Sequence, residues 1–191
     1  MQAELTANRV RGTAIGAMIE ASFGLGWLFW SLAAMHRIAA GSAIGLDLGA
    51  IALLAPAVYV ARQAKRWPAT AGDPAMMRKF VWINAIQGTA IVAVVVGFSR
   101  SHIDAYGASA VTAIVGLHFL PLAHLFHYRM HYVTGAVLVS WGAISAFLFS
   151  QESLQGAAAL GTGVILWVSA AVTLVLVMQR MAAGRRLNAI R

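Results

Sequence analysis

The residues best suited to chemistry are concentrated in one stretch, VGLHFLPLAHLFHYRMHY, which holds four of the chain's six histidines. His124, His127 and His131 are spaced i, i+3 and i+7, so a continuous helix would present them on one face, as in histidine metal sites. A turn is expected near residues 128–131, and it would move His131 away from the other two. The three are therefore weak metal candidates. The other interpretations are an interfacial belt beside aromatic and basic residues, and contact with a lipid headgroup or another anionic ligand.

Glu20 is an acidic residue inside an apolar segment. A charged side chain near the centre of a membrane helix costs at least ~2.5 kcal/mol, so Glu20 is expected to face protein or water. Counts along three predicted helices place Glu20, Asn84, Gln87 and His118 roughly 6–13 Å inside the same membrane surface. The shared depth predicts a polar pocket, in which the carboxylate and the imidazole exchange a proton or hold a small polar ligand. The alternative is a hydrogen-bonded knot that only fixes helix packing.

Other site classes are poorly supported. Asp47, near His36 and Arg37, lines an outer vestibule or is an interface carboxylate at the start of its helix. The chain lacks a phosphate-binding glycine loop, a G-x-S-x-G elbow and an H-E-x-x-H pair, so no catalytic residue is assigned. It also lacks cysteine, which excludes disulfides and thiolate metal sites. A bis-histidine haem is not expected, because only His118 lies deep, and the identity of any cofactor stays open.

The composition is typical of a protein that is surrounded by lipid. Of the 191 residues 60% are hydrophobic and 10% are charged, against about 25% charged in soluble domains. Six apolar segments each approach the ~20 residues that cross a bilayer as a helix. They span residues 13–35, 43–61, 80–98, 108–127, 132–149 and 156–178. The prediction is an all-α protein, with residues 1–191 forming a single transmembrane domain, a compact bundle of six helices.

The basic residues predict orientation. Twelve of the fourteen lysines and arginines fall in segments that a six-span chain places on one side, and only Arg37 and Arg100 fall on the other. The positive-inside rule then puts both termini in the cytoplasm. The net charge of +8 is thereby explained by topology, and nucleic-acid binding is not expected.

Glycines are spaced for close helix packing. Gly41, Gly45 and Gly49 are four residues apart, and Gly12, Gly16, Glu20 and Gly24 follow the same spacing in the first segment. Small residues on one helical face allow close backbone approach, either within the protomer or in a homo-oligomer.

The fourth segment, VGLHFLPLAHLF followed by YVTGAVL, resembles a group of small uncharacterised bacterial integral membrane proteins. In that group a Gly-Leu-His-Phe-x-Pro-Leu-Ala run precedes a short basic turn and a Tyr-Val-Thr-Gly helix start. The matching positions here are His118 and Pro121. The resemblance implies a six-span protein of the bacterial inner membrane and carries no established function.

These observations favour a small transporter or channel-like protein with Glu20 and His118 as a protonatable pair. Two alternatives stay open. One is a structural or accessory membrane protein that acts by binding a partner or by oligomerising. The other is a membrane enzyme or metal-binding protein that uses His124, His127 and His131.

Overall fold

The chain forms long helices joined by short connections. The computed structural model describes residues 6–69, 71 and 73–189, and all regular structure within them is helical. Residues Gly72 and Arg191, in the predicted second connection and the basic tail, lie outside the described residues. The α-helices of the described part are α1 (Ala7–Ala34), α2 (Ala40–Gln63), α3 (Pro74–Arg100), α4 (Gly107–Phe126), α5 (Met130–Leu148) and α6 (Gln151–Ala189).

Each of these six helices is long and apolar enough to cross a membrane. For the described residues, the prediction of an all-α chain is confirmed, and so is that of six helices long and apolar enough to span a membrane. These helices suggest a multi-pass membrane protein. Several helices extend past the predicted apolar segments, because their polar ends continue the backbone hydrogen bonding. With 39 residues, α6 is about 58 Å long at 1.5 Å per residue, well beyond the ~30 Å of a hydrocarbon core.

Local sequence explains where several helices begin and end. The Thr6 side chain accepts a hydrogen bond from the Arg9 backbone N–H at 3.3 Å and caps α1. Asp73 accepts from the Ala75 N–H at 2.8 Å, and Pro74 occupies the first position of α3, where a missing N–H costs nothing. His127 ends α4 in the left-handed conformation, with φ of 50°. That residue reverses the chain within three residues, so α5 starts close to the end of α4.

The packing is centred on α6, which contacts α1, α2, α4 and α5. The closest pairs are α1 with α6 and α4 with α5. Helix α3 packs chiefly on α4 and has no buried residue. The core consists of two apolar clusters. One joins α1, α2 and α6, and the other joins α1, α4, α5 and α6.

Glycines permit several close approaches between helices. A Cβ added to Gly135 on α5 would lie 2.7 Å from the Gly116 carbonyl oxygen of α4, so these backbones touch. In α1 and α2, Gly24 and Gly49 face opposite parts of the Trp167 ring of α6. The Trp167 indole N–H donates to the Ala21 carbonyl at 3.0 Å. The indole thus fills the space that the two glycines leave and ties α6 to α1.

The glycine stripes pack only in part. Within the described residues, a Cβ at Gly12, Gly16, Gly41 or Gly45 would meet no other atom within 4 Å. A step of four residues turns about 40° beyond a full turn of a 3.6-residue helix. Over three such steps Gly12 therefore lies about 120° around α1 from Gly24. A strict i+4 row does not stay on one face, and within the protomer only its last glycine reaches the neighbour.

Replacement of Gly135 by alanine tests the α4–α5 contact. The new methyl group would press on the Gly116 carbonyl, and we expect a loss of about 1–3 kcal/mol of stability. Gly45→Ala is the matched control, because its methyl group would point into open space. The measurement is thermal unfolding of the purified proteins in detergent. Equal midpoints for the two variants would contradict the close contact.

Candidate functional site

The most unusual side chain of the interior is Glu20, on the buried face of α1 and only 4% exposed. Its Oε1 lies 3.6 Å from Nδ1 of His131 at the start of α5. In the described part of the chain no group donates a hydrogen bond to Glu20 Oε2, and His131 Nδ1 forms no hydrogen bond. A carboxyl and an imidazole thus meet between helices with spare hydrogen-bonding capacity.

His131 reaches this position because of the register of α5. It precedes Gly135, Leu138 and Gly142 by four, seven and eleven residues, and these three belong to the buried face of α5. The turn at residues 127–129 starts the new helix early enough for His131 to share that face. Two aromatic rings hold the imidazole from the sides, Phe119 at 5.3 Å and Tyr128 at 4.9 Å between ring centroids.

Hydroxyl groups from α5 and α6 complete the polar surroundings of Glu20. Ser169 interacts with its carboxyl group. The Ser169 and Thr134 hydroxyls are 2.8 Å apart, and Thr134 also donates to the Met130 carbonyl at 3.1 Å. Because a hydroxyl both donates and accepts, this chain of groups adapts to a charged or a neutral carboxyl group.

His118 lies beside this centre on α4. Its ring stacks edge-on against Phe119, and it interacts electrostatically with His131. The side chain is partly buried near the Ile83 carbonyl of α3, and its Nδ1 has no partner among the described residues. His118 therefore lies near His131, which in turn contacts Glu20.

Tyr128 closes this region toward one end of the bundle. We call this the terminal end, because it holds the start of α1 and the last third of α6. The Tyr128 hydroxyl donates to Thr173 Oγ1 at 3.0 Å, and burial raises the pKa of Tyr128 above its ordinary value. The phenol therefore stays protonated and keeps its donor role.

A cleft opens on the far side of Tyr128, at the terminal end. The volume that the centre of a water molecule can occupy there is about 20 Å³, enough for one water or one small ligand group. Its lining is Arg9, Val10, Thr13, Tyr128, Thr173, Leu176, Val177 and Arg180. The residues of the terminal end thus combine two guanidinium groups with hydroxyls.

Asn84 and Gln87 are placed differently from the predicted pocket. Asn84 is exposed on α3, and its amide donates to the Phe80 carbonyl of its own helix at 2.7 Å. Gln87 is partly exposed on the same helix, which packs chiefly on α4 rather than on α1. Counting residues along a helix gives the depth of a side chain in the membrane. It does not determine which side of the helix the side chain lies on.

The remaining sequence candidates lie at the surface. Asp47 is exposed on α2. His124 and His127 are exposed with rings 6.1 Å apart, whereas His131 faces Glu20. The left-handed turn at His127 separates the three imidazoles, and no group of three potential metal ligands forms within the residues that the structure describes.

Four contributors to the site were not singled out from the sequence: Tyr128 as a buried donor, Thr134, Ser169 and Thr173. A signal was available in α6, where Thr162, Ser169 and Thr173 are spaced by seven and four residues, the repeat of a buried helix face. Thr162 uses this face to contact the Thr112 hydroxyl at 2.7 Å. Polar residues that recur on the apolar face of a membrane helix mark its contacts with neighbours.

Comparison of the chain with protein-family models, with curated proteins and with solved structures returned no match. The resemblance carried by His118 and Pro121 stays a prediction. The chemistry of the site therefore has to be argued from its own geometry.

Tyr128→Phe tests the closure of the site. Loss of the hydrogen bond to Thr173 is expected to cost about 0.5–1.5 kcal/mol of stability, visible as a lower thermal midpoint in detergent. Tyr132→Phe is the control, since Tyr132 is exposed and its hydroxyl has no hydrogen bond among the described residues. If the two variants unfold at the same temperature, Tyr128 is not held as described.

Proposed function

We propose that the protein is a small membrane transporter in which Glu20 binds and releases a proton with His131 as its partner. The observation that carries this proposal is the 3.6 Å contact between the buried Glu20 and the partly buried His131, each of which has an atom free of hydrogen bonds among the described residues. Ionisable residues inside a membrane bundle are costly, and they commonly serve ion or proton movement. His118 is the second histidine of this proposed centre.

The surroundings of this centre differ on its two sides. Toward the terminal end, Tyr128 lies between the Glu20–His131 pair and the open cleft. In the other direction the bundle is filled by buried apolar residues, among them Phe119, Leu138 and Leu166. A site covered by one side chain toward the cleft and by a packed apolar core in the other direction has the asymmetry that alternating access requires of each end state.

The proposal also includes an orientation and a location. We place the terminal end on the cytoplasmic side of a bacterial inner membrane. The support is the sequence bias of twelve basic residues against two, together with Arg9 and Arg180 at the cleft.

Glu20→Gln tests proton binding without knowledge of a transported substrate. We expect infrared difference spectra of the wild-type protein, recorded between acidic and alkaline buffer, to contain the band of a titrating buried carboxyl group. The amide that replaces the carboxyl group has the same shape and carries no exchangeable acid, so the band should vanish. Asp47→Asn is the control, because the Asp47 side chain is exposed on α2 and takes no part in the buried pair.

The same proteins are then reconstituted in liposomes with a trapped pH indicator. Proton uptake driven by a potassium diffusion potential should fall to that of protein-free liposomes for Glu20→Gln and persist for Asp47→Asn. A wild-type protein without the carboxyl band, or a Glu20→Gln variant with undiminished proton flux, would refute the proposal.

His131→Gln tests the partner. We expect proton flux to decrease, because the amide accepts and donates hydrogen bonds but does not take up a proton from Glu20. His124→Gln removes an exposed imidazole from the same region and should leave flux unchanged. Similar fluxes for both variants and the wild type would exclude His131 from proton movement.

A structural role through self-association is the second candidate. It is favoured by the open face of α2, where Gly41 and Gly45 meet no neighbour among the described residues and Ile44 and Leu48 are exposed. A second copy of the helix fits against such a face. If Gly45→Leu converts a dimer to a monomer while Glu20→Gln has neither a spectroscopic nor a transport effect, the structural role is the better account.

A further inference from the structure

The cleft at the terminal end has the composition of an anion site. Arg9 comes from the first turns of α1 and Arg180 from the distal part of α6, and both line the same cleft. In the described part of the chain neither guanidinium forms an ion pair or a side-chain hydrogen bond. Both arginine side chains are exposed, and an anion in the cleft they line would meet two cations with unused donors.

The hydroxyl groups of the cleft add directional donors. Thr173 Oγ1 accepts a hydrogen bond from the Tyr128 hydroxyl. The hydroxyl proton of Thr173 itself has no acceptor among the described residues. The cleft also borders the first turns of α1, where the N–H groups of Ala7, Arg9 and Val10 already donate to Thr6 and to the Pro68 carbonyl, so this helix adds only the positive end of its dipole. The guanidinium groups, a hydroxyl with a free proton and the positive end of a helix dipole together suit an oxyanion, which has several acceptor oxygens.

We propose that this cleft binds a phosphate-type oxyanion between Arg9 and Arg180, with Thr173 as a neutral donor. The small volume of about 20 Å³ suits a single ligand group rather than a whole metabolite. The phosphate group has two sources, a free phosphate or phosphorylated solute in the water phase, and the headgroup of an anionic lipid at the membrane surface.

The position of the cleft relates it to the buried carboxylate. Tyr128 touches both regions, since its ring packs on His131 and its hydroxyl bonds at the cleft wall. The proposed binding site does not depend on proton movement by Glu20. The assignment of a free oxyanion as the transported substrate class, in contrast, rests on the proposed function.

The test is equilibrium binding by the full-length protein. Inorganic phosphate is titrated into the delipidated protein in neutral detergent, and retention of phosphatidylglycerol is measured in nanodiscs by native mass spectrometry, with phosphatidylcholine as the reference lipid. The variants are Arg9→Gln and Arg180→Gln. The control is Arg100→Gln, which removes an exposed arginine at the end of α3 that lies away from the cleft. Thermal midpoints confirm that each variant is folded.

Loss of one charge-assisted contact is expected to weaken binding at least about tenfold in either cleft variant and not in the control. Phosphate binding with that dependence supports a site for a free oxyanion. Retention of phosphatidylglycerol with that dependence, without phosphate binding, supports a lipid headgroup site. The proposal is overturned if the protein binds neither phosphate nor phosphatidylglycerol, or if binding is the same in the Arg9→Gln and Arg180→Gln variants as in the wild type. None of these results alters the infrared signal of Glu20, so the two proposals fail separately.

Discussion

Holding a carboxyl group inside an apolar helix bundle is the constraint around which the interior is arranged. Hydrocarbon offers Glu20 no hydrogen bonds, so the neighbouring helices have to supply them. His131 comes from α5 and Ser169 from α6, and each stands on the buried face of its helix. The tight turn after α4 and the glycine contact between α4 and α5 bring His131 within reach of α1, and the direct packing of α1 on α6 does the same for Ser169.

The helical architecture was largely predictable from the sequence. Apolar length, a low charge content and short connections suffice to indicate six spans, because a backbone in lipid has few ways to satisfy its hydrogen bonds. The positions of the helix ends were harder to predict from the sequence. Thr6 caps α1 several residues before the predicted apolar segment starts, and α6 continues beyond its apolar part.

The candidate site was predictable only in part. Glu20 stood out because an acid in an apolar segment has to be accommodated by protein or water. Asn84 matched Glu20 in depth, yet its side chain hydrogen-bonds to the backbone of its own helix. Depth in the membrane does not determine the side of the helix on which a residue lies. His131 was assigned to the interface on the basis of the expected turn. The turn instead ends before it, and the face shared with Gly135 and Leu138 decides its direction. Rotation and exact turn position depend on tertiary packing, which periodicity alone does not specify.

Helix α3 differs from the other five in having no buried residue and one principal neighbour, α4. In a bilayer, acyl chains therefore surround most of its circumference. The tilt of a membrane helix is normally set by several packed neighbours, and α3 has little such restraint. When the thickness of the membrane changes, α3 is the element whose inclination can follow that change while the packed bundle of the remaining helices keeps its shape.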